Sequence, residues 1–117
     1  MMREQFLALR VDQPKYETVE TPAGLLYVKK LNAGEKDRFE AAHFAADKRD
    51  FRARTVAHCV FDERGARLFD DDDISTISMM DPELLDPIVT AALKLNGFTK
   101  EDQDELRKNL NGQAVHS

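Results

Sequence analysis

The densest run of chemically capable side chains in this 117-residue chain is Asp70-Asp71-Asp72-Asp73, four carboxylates of the kind that hard divalent cations take as oxygen ligands. Consecutive residues do not converge on one centre. A calcium loop needs alternate ligands, a Gly at the turn and a Glu at the twelfth position, and Ser75, Ile77 and Asp81 stand where that order should continue. The run reads as a solvated acidic segment at a helix start, where carboxylates suit the positive end of the helix dipole. His43, His58 and His116 with Cys59 are the remaining candidate metal ligands. No pair among them has a short ligand spacing except His58-Cys59, and adjacent side chains diverge on a helix. A Cys-His nucleophilic pair would need convergence in space and an orienting third group, which the spacing does not supply. Cys59, the sole cysteine, reads as a buried thiol and rules out an intramolecular disulfide. Gly-rich phosphate loops, nucleophile elbows and paired catalytic carboxylates are missing from the sequence. The expectation is a chain with no catalytic residue, no metal and no cofactor.

Charge points to a protein partner. Lys48, Arg49, Arg52 and Arg54 form a basic cluster that Asp47 and Asp50 dilute to +2, while Arg64 and Arg67 leave residues 62–73 at −4 against Asp62, Glu63 and Asp70 to Asp73. The whole chain carries −5 at neutral pH. That balance argues against tracking nucleic-acid phosphates, whose affinity comes from clustered Lys and Arg. Opposite patches could instead meet between neighbouring copies, with Lys48, Arg49 and Arg52 facing Asp70, Asp71 and Asp72 in head-to-tail self-association.

The elements that must hold these residues follow from local signals. Residues 3–10 form a short helical turn before Pro14. Tyr16 to Thr21 and Leu25 to Leu31 are β-rich and flank the turn formers Pro22-Ala23-Gly24, so they make a hairpin, one face of which (Val19, Leu26, Val28) must pack on something else. Asn32 with Glu35 is a capping box that starts a helix at Ala33, with Phe39, Ala42, His43 and Ala46 on its inner stripe. A second helix begins near Asp50 and carries Ala53, Val56, Ala57, Val60 and Phe61, ending around Asp62 to Gly65. The acidic run caps a short helix with Ile74 and Ile77. Asp81-Pro82-Glu83 then starts an amphipathic helix with Leu84, Leu85, Ile88, Val89, Ala92 and Leu93, in which Pro87 forces either a kink or a later start at Pro87. Asn96-Gly97 ends it. Thr99 with Asp102 caps a last helix carrying Leu106 and Leu110, and residues 111–117 are expected to be a flexible tail. The fold class is α+β, predominantly α: an N-terminal hairpin followed by four or five short helices in one domain, residues 1–110. The longest stretch free of charge before the C-terminal segment is Thr21 to Val28, far short of the ~20 apolar residues that span a bilayer. MMREQFLALR carries Arg3, Glu4 and Arg10 and lacks the apolar core of a signal peptide, so no membrane and a cytosolic location are expected.

In order and spacing, three strings resemble the tail assembly chaperones of long-tailed, siphovirus-type bacteriophages: YETVETPAGLLYVKKLNAGEKDRFE (16–40), RARTVAHCVFDERGARLFDDDDI (52–74) and LKLNGFTKEDQDELRKN (93–109). The resemblance covers nearly the whole chain. Pro87 departs from the uninterrupted helix of that pattern. The resemblance implies a non-enzymatic morphogenesis factor in the cytoplasm of the infected bacterium that binds and solubilises the tape measure protein and is not kept in the mature virion. It also implies self-association, and contact with the major tail protein through a frameshifted longer form. Many small copies could cover a long helical tape measure if each buried a little apolar surface and touched its neighbours. Leu25 and Tyr27 on the hairpin and Met79-Met80 are the candidate contact residues, although methionines more often fill a core. The competing class is a small monomeric regulatory or adapter domain.

Overall fold

The computed structural model describes residues 1–10 and 12–97. Of these, 51% are helical and 16% in strands, an α+β fold in which helices dominate. In order come α1 (Arg3–Leu7), β1 (Tyr16–Thr21), β2 (Gly24–Lys29), α2 (Ala33–Ala45), α3 (Phe51–Cys59), β3 (Val60–Phe61), a 3-10 turn (Asp71–Asp73), α4 (Ile74–Ile77) and α5 (Pro82–Asn96). The last helix expected from Thr99 onward, His116 and the tail at 111–117 lie outside the described residues.

The hairpin is where the turn chemistry puts it. Pro22 and Ala23 are the two connecting residues, and Gly24, at φ +131°, already pairs with Thr21. The Thr21 hydroxyl braces the turn, donating to the Gly24 carbonyl (2.7 Å) and accepting from the Ala23 amide (3.2 Å). Val19 faces Leu26 across the strands, and α5 covers this inner face with Leu85, Ile88, Val89 and Ala92. The second strand ends earlier than Leu31 because its last amides are taken by other partners. Lys30 N–H donates to the Lys15 carbonyl (2.9 Å), and Leu31 N–H to Asn96 Oδ1 (2.6 Å). Asn96 also donates to the Lys29 carbonyl (3.3 Å), so the end of α5 is fastened to the junction between β2 and α2.

The box at the start of α2 is closed in both directions: Asn32 Oδ1 accepts from Glu35 N–H (2.8 Å), and Glu35 Oε1 from Asn32 N–H (2.9 Å). Phe39 is the buried residue of α2, with Ala42, His43 and Ala46 half-buried beside it. The helix stops in a Schellman arrangement, in which Asp47 N–H reaches the Phe44 carbonyl (3.0 Å) and Lys48 N–H the His43 carbonyl (2.9 Å). The left-handed position that glycine usually fills is held by Asp47 at φ +56°. Its carboxylate also faces the negative end of the helix dipole. Asp47→Gly removes both penalties at once and is expected to stabilise the fold by up to about 1 kcal/mol, seen as a rise of a few degrees in Tm. An unchanged or lowered Tm would refute this account.

The segment after Asp50 departs from the amphipathic expectation. α3 is covered by α2, α4 and α5, so every residue from Ala53 to Phe61 is buried, including Arg54, Thr55 and His58. The helix does not continue through Phe61. It ends at Cys59, and Val60-Phe61 extend as β3, pairing with Val28 and Tyr27 to complete the sheet order β1-β2-β3. Valine and phenylalanine suit either state, and the unpaired edge of β2 decides between them.

α5 starts at Pro82 under the Asp81 cap and runs unbroken through Pro87. Pro87 and Glu83, whose carbonyl loses its partner, are both exposed, so water can satisfy the orphan group. Gly97, at φ +52°, closes the helix.

Candidate functional site

Leu25 and Tyr27 lie on the outer face of the sheet, opposite α5, and Phe61 pairs with Tyr27 on that same face. After β3 the chain reverses through Asp62–Ala66. Asp62 Oδ1 accepts from the amides of Arg64 (2.8 Å) and Ala66 (3.0 Å), and Gly65 adopts φ +86°. The amides of Ala66 and Arg64 hold the Asp62 carboxyl below its usual range. Arg67 then bridges to Phe61, which brings Leu68 beside Leu25. The result is an open groove of about 380 Å³ lined by Leu25, Leu26, Tyr27, Phe61 and Leu68, rimmed by Asp62, Glu63 and Arg64. A smaller hollow of about 280 Å³ continues it between Tyr16, Tyr27, Asp62 and Glu63. Leu25 and Leu68 stand 48% and 46% exposed, so the groove offers apolar surface directly to water. An open apolar trough with a charged rim suits a polypeptide segment better than a small ligand, which needs a more enclosed cavity.

Beside the groove, on the same face as Leu25 and Tyr27, the sheet is stiffened electrostatically. Lys29 Nζ lies 2.8 Å from Glu35 Oε2 and 4.6 Å above the Phe61 ring, on a largely buried stem. Burial pushes the Glu35 pKa up, but the Lys29 hydrogen bond and the Asn32 amide outweigh it and leave the carboxyl below its ordinary value.

Met79 (87% exposed) and Met80 (42% exposed) sit on the turn between α4 and α5 and do not line the groove. The two halves of the expected partner surface are therefore separate. Of the expected self-association charges, Arg52 is engaged with Asp86 (2.6 Å), Arg49 Nε donates to the Ala46 carbonyl (3.2 Å), and Asp70 accepts from Asp72 N–H (2.9 Å) as a cap. Asp71 is held by Arg67 (2.9 Å), whose Nε donates to the Ala57 carbonyl (2.9 Å). Asp72 is exposed, and Lys48 forms part of the α2 stop described above. Phe61, Leu68 and the Asp62–Arg64 rim escaped the sequence reading. The available signal was the Asp-x-x-Gly turn, which announces a chain reversal immediately after an apolar pair.

Among the described residues, no cluster of three or more His, Cys, Asp and Glu side chains could hold a metal ion. Cys59 is fully buried. His58, also buried, has Nε2 3.1 Å from Asp71 Oδ1 in a contact bent away from hydrogen-bond alignment. Burial lowers the His58 pKa, with Arg67 adding to the effect and Asp71 opposing it, while the Arg67 hydrogen bond holds Asp71 below the usual carboxylate range. An unfolded histidine gains its proton near pH 6.5, whereas folded His58 resists it to lower pH. Stability is accordingly lost as the pH falls below about 6.5, by at most about 1.4 kcal/mol per pH unit for one proton. Asp71 and Glu35 add further loss below their ordinary values of 3.8 and 4.5. Urea midpoints at pH 7, 6 and 5 are expected to fall in that order, with a shallower slope in His58→Gln; a flat wild-type profile would contradict the assignment.

No protein-family model matches this sequence. No curated protein matches it either. Among solved structures, the tail assembly chaperone of bacteriophage HK97 superposes with a TM-score of 0.57 at 11% identity, over 83% of this chain and 95% of that one. This chain thus shares its fold with that chaperone.

Proposed function

We propose that this chain is a non-enzymatic tail assembly chaperone of a long-tailed, siphovirus-type phage or prophage, acting in the bacterial host cytoplasm and left out of the finished virion. The observation that carries this reading is the fold likeness, which extends over nearly all of the related chain. Its client is the tape measure protein, a long helical polypeptide that needs its apolar stripe covered until the tail tube grows around it. The groove at Leu25, Tyr27, Phe61 and Leu68 takes one stretch of such a helix, and exposed Met79 and Met80 give a second, adaptable contact. Each contact is small, so coverage comes from many copies that also touch one another, and copies leave one at a time. The basic residues Lys48, Arg49 and Arg52 and the acidic Asp70, Asp71 and Asp72 steer neighbours together, which makes assembly weaken as salt rises. A frameshifted longer form would link the same coat to the major tail protein.

The test is co-expression with a tape measure protein from the same phage or prophage genome, followed by affinity purification and a mass-based copy count. Many copies on a soluble tape measure protein are expected, with Leu25→Asp lowering their number about tenfold through loss of an apolar anchor. An insoluble tape measure protein and no complex would leave a monomeric adapter domain as the better description.

A further inference from the structure

We propose that, when no client is bound, the groove is filled by residues 1–10 of a second copy of this chain. This inference rests on the client groove and self-association described above, and it names what occupies that groove between clients.

The occupant follows from the N-terminal segment. All ten of its residues are exposed, and they include Met1, Met2, Phe6, Leu7 and Leu9. α1 buries none of its residues, and a helix this short is marginal in water, so a surface under its apolar side chains would stabilise it. The groove offers an apolar floor of matching chemistry, and the charges agree in sign. Arg3 and Arg10 against Glu4 give the segment +1, whereas Asp62 and Glu63, with Glu20 paired beside Leu25 on the same face, outweigh Arg64 to leave the rim at −2. Residues 98–117, the other part of the chain that could supply an occupant, carry Glu101, Asp102, Asp104 and Glu105 against Lys100, Arg107 and Lys108, a net −1 that the rim repels. The N-terminal segment leaves the body at Lys15, beside Lys30, whereas Leu25 lies at the turn end of the hairpin. Within its own chain the segment lines neither the groove nor the hollow that continues it to Tyr16, which leaves both open to a neighbour's segment. Segment and groove are different surfaces, so the contact is heterologous: every copy both gives and receives, and the product is a ring or an open string, not a closed pair.

The experiment uses the full chain with no tape measure protein present. Light scattering on size-exclusion fractions should show the wild type rising above monomer mass with concentration. Phe6→Asp, which spoils the segment, and Leu25→Asp, which spoils the groove, should each be monomeric, with far-UV circular dichroism unchanged because both residues are exposed. Mixing the two variants should restore one productive contact, between the segment of the Leu25→Asp chain and the groove of the Phe6→Asp chain, and double the mass to that of a dimer. A monomeric wild type, a Phe6→Asp chain that assembles like the wild type, or a mixture that stays monomeric would each overturn the proposal. These readings are independent of client binding, so the chaperone assignment can stand or fall separately.

Discussion

Phe39→Ala is expected to cost about 3–5 kcal/mol of folding stability, the range for emptying a phenylalanine site in a packed interior. Phe39 is 2% exposed on α2, and its ring meets three others: His43 stacked at 5.8 Å, His58 edge-on at 5.6 Å and Phe51 edge-on at 6.1 Å. Two of those rings belong to α3, so the alanine variant opens a void at the seam that joins the two helices. Little can collapse into it, because α3 is fixed on its other sides by α5 and α4. Domains of this size have about 5–15 kcal/mol in total, so the variant should lose about a fifth of its stability or more. Phe39→Leu keeps most of the volume and should lose less than about 1.5 kcal/mol. Urea unfolding followed by circular dichroism measures both, and a loss below about 1 kcal/mol for alanine would show that this cluster is not the centre of the core.

The second large effect concerns Cys59. Burial pushes its thiol up to about 12, from an ordinary value of 9.0. At pH 8 that shift alone cuts the reactive thiolate about a thousandfold, and complete enclosure adds a steric barrier. Labelling with a thiol reagent should therefore be slower by about three orders of magnitude or more in the folded chain than in urea, and should proceed only through unfolding. Comparable rates in the two states would mean that α3 opens readily. The same physics removes Cys59 from consideration as a nucleophile, since a catalytic thiol needs a lowered pKa and access to its substrate.

The legible parts of the fold were those written in short-range chemistry. Asn32 with Glu35, Pro22-Ala23, Asp81-Pro82 and Asn96-Gly97 each close a hydrogen-bonding pattern within a few residues, and each marks a boundary in the structure. Pro87 inside α5 was one of two readings left open, and the exposure of its orphan carbonyl allows the early start. What escaped detection depends on partners distant in sequence. Val60 and Phe61 fit the helical period of α3, yet the free edge of β2 takes them as a strand. Arg54 and His58 look like an outward face until α2, α4 and α5 enclose the helix on every side. Leu25 and Tyr27 were recognisable as a hairpin's outer face, but the groove exists only because Gly65 turns the chain and returns Leu68 to them. The stop of α2 at Asp47 gave no glycine to read.

Lys15 and Asn96 meet at one junction, the first through the Lys30 amide and the second through Leu31 and Lys29. The body thus has two poles: one where the polypeptide enters and departs, and the other at the Pro22-Ala23 turn. Anything attached before residue 15 or after residue 97 acts from the first pole and leaves the second unencumbered. The same closeness makes the topology amenable to circular permutation, since a short linker from Gly97 to Lys15 with new ends opened at Pro22-Ala23 would keep the same core while moving both ends to the opposite pole.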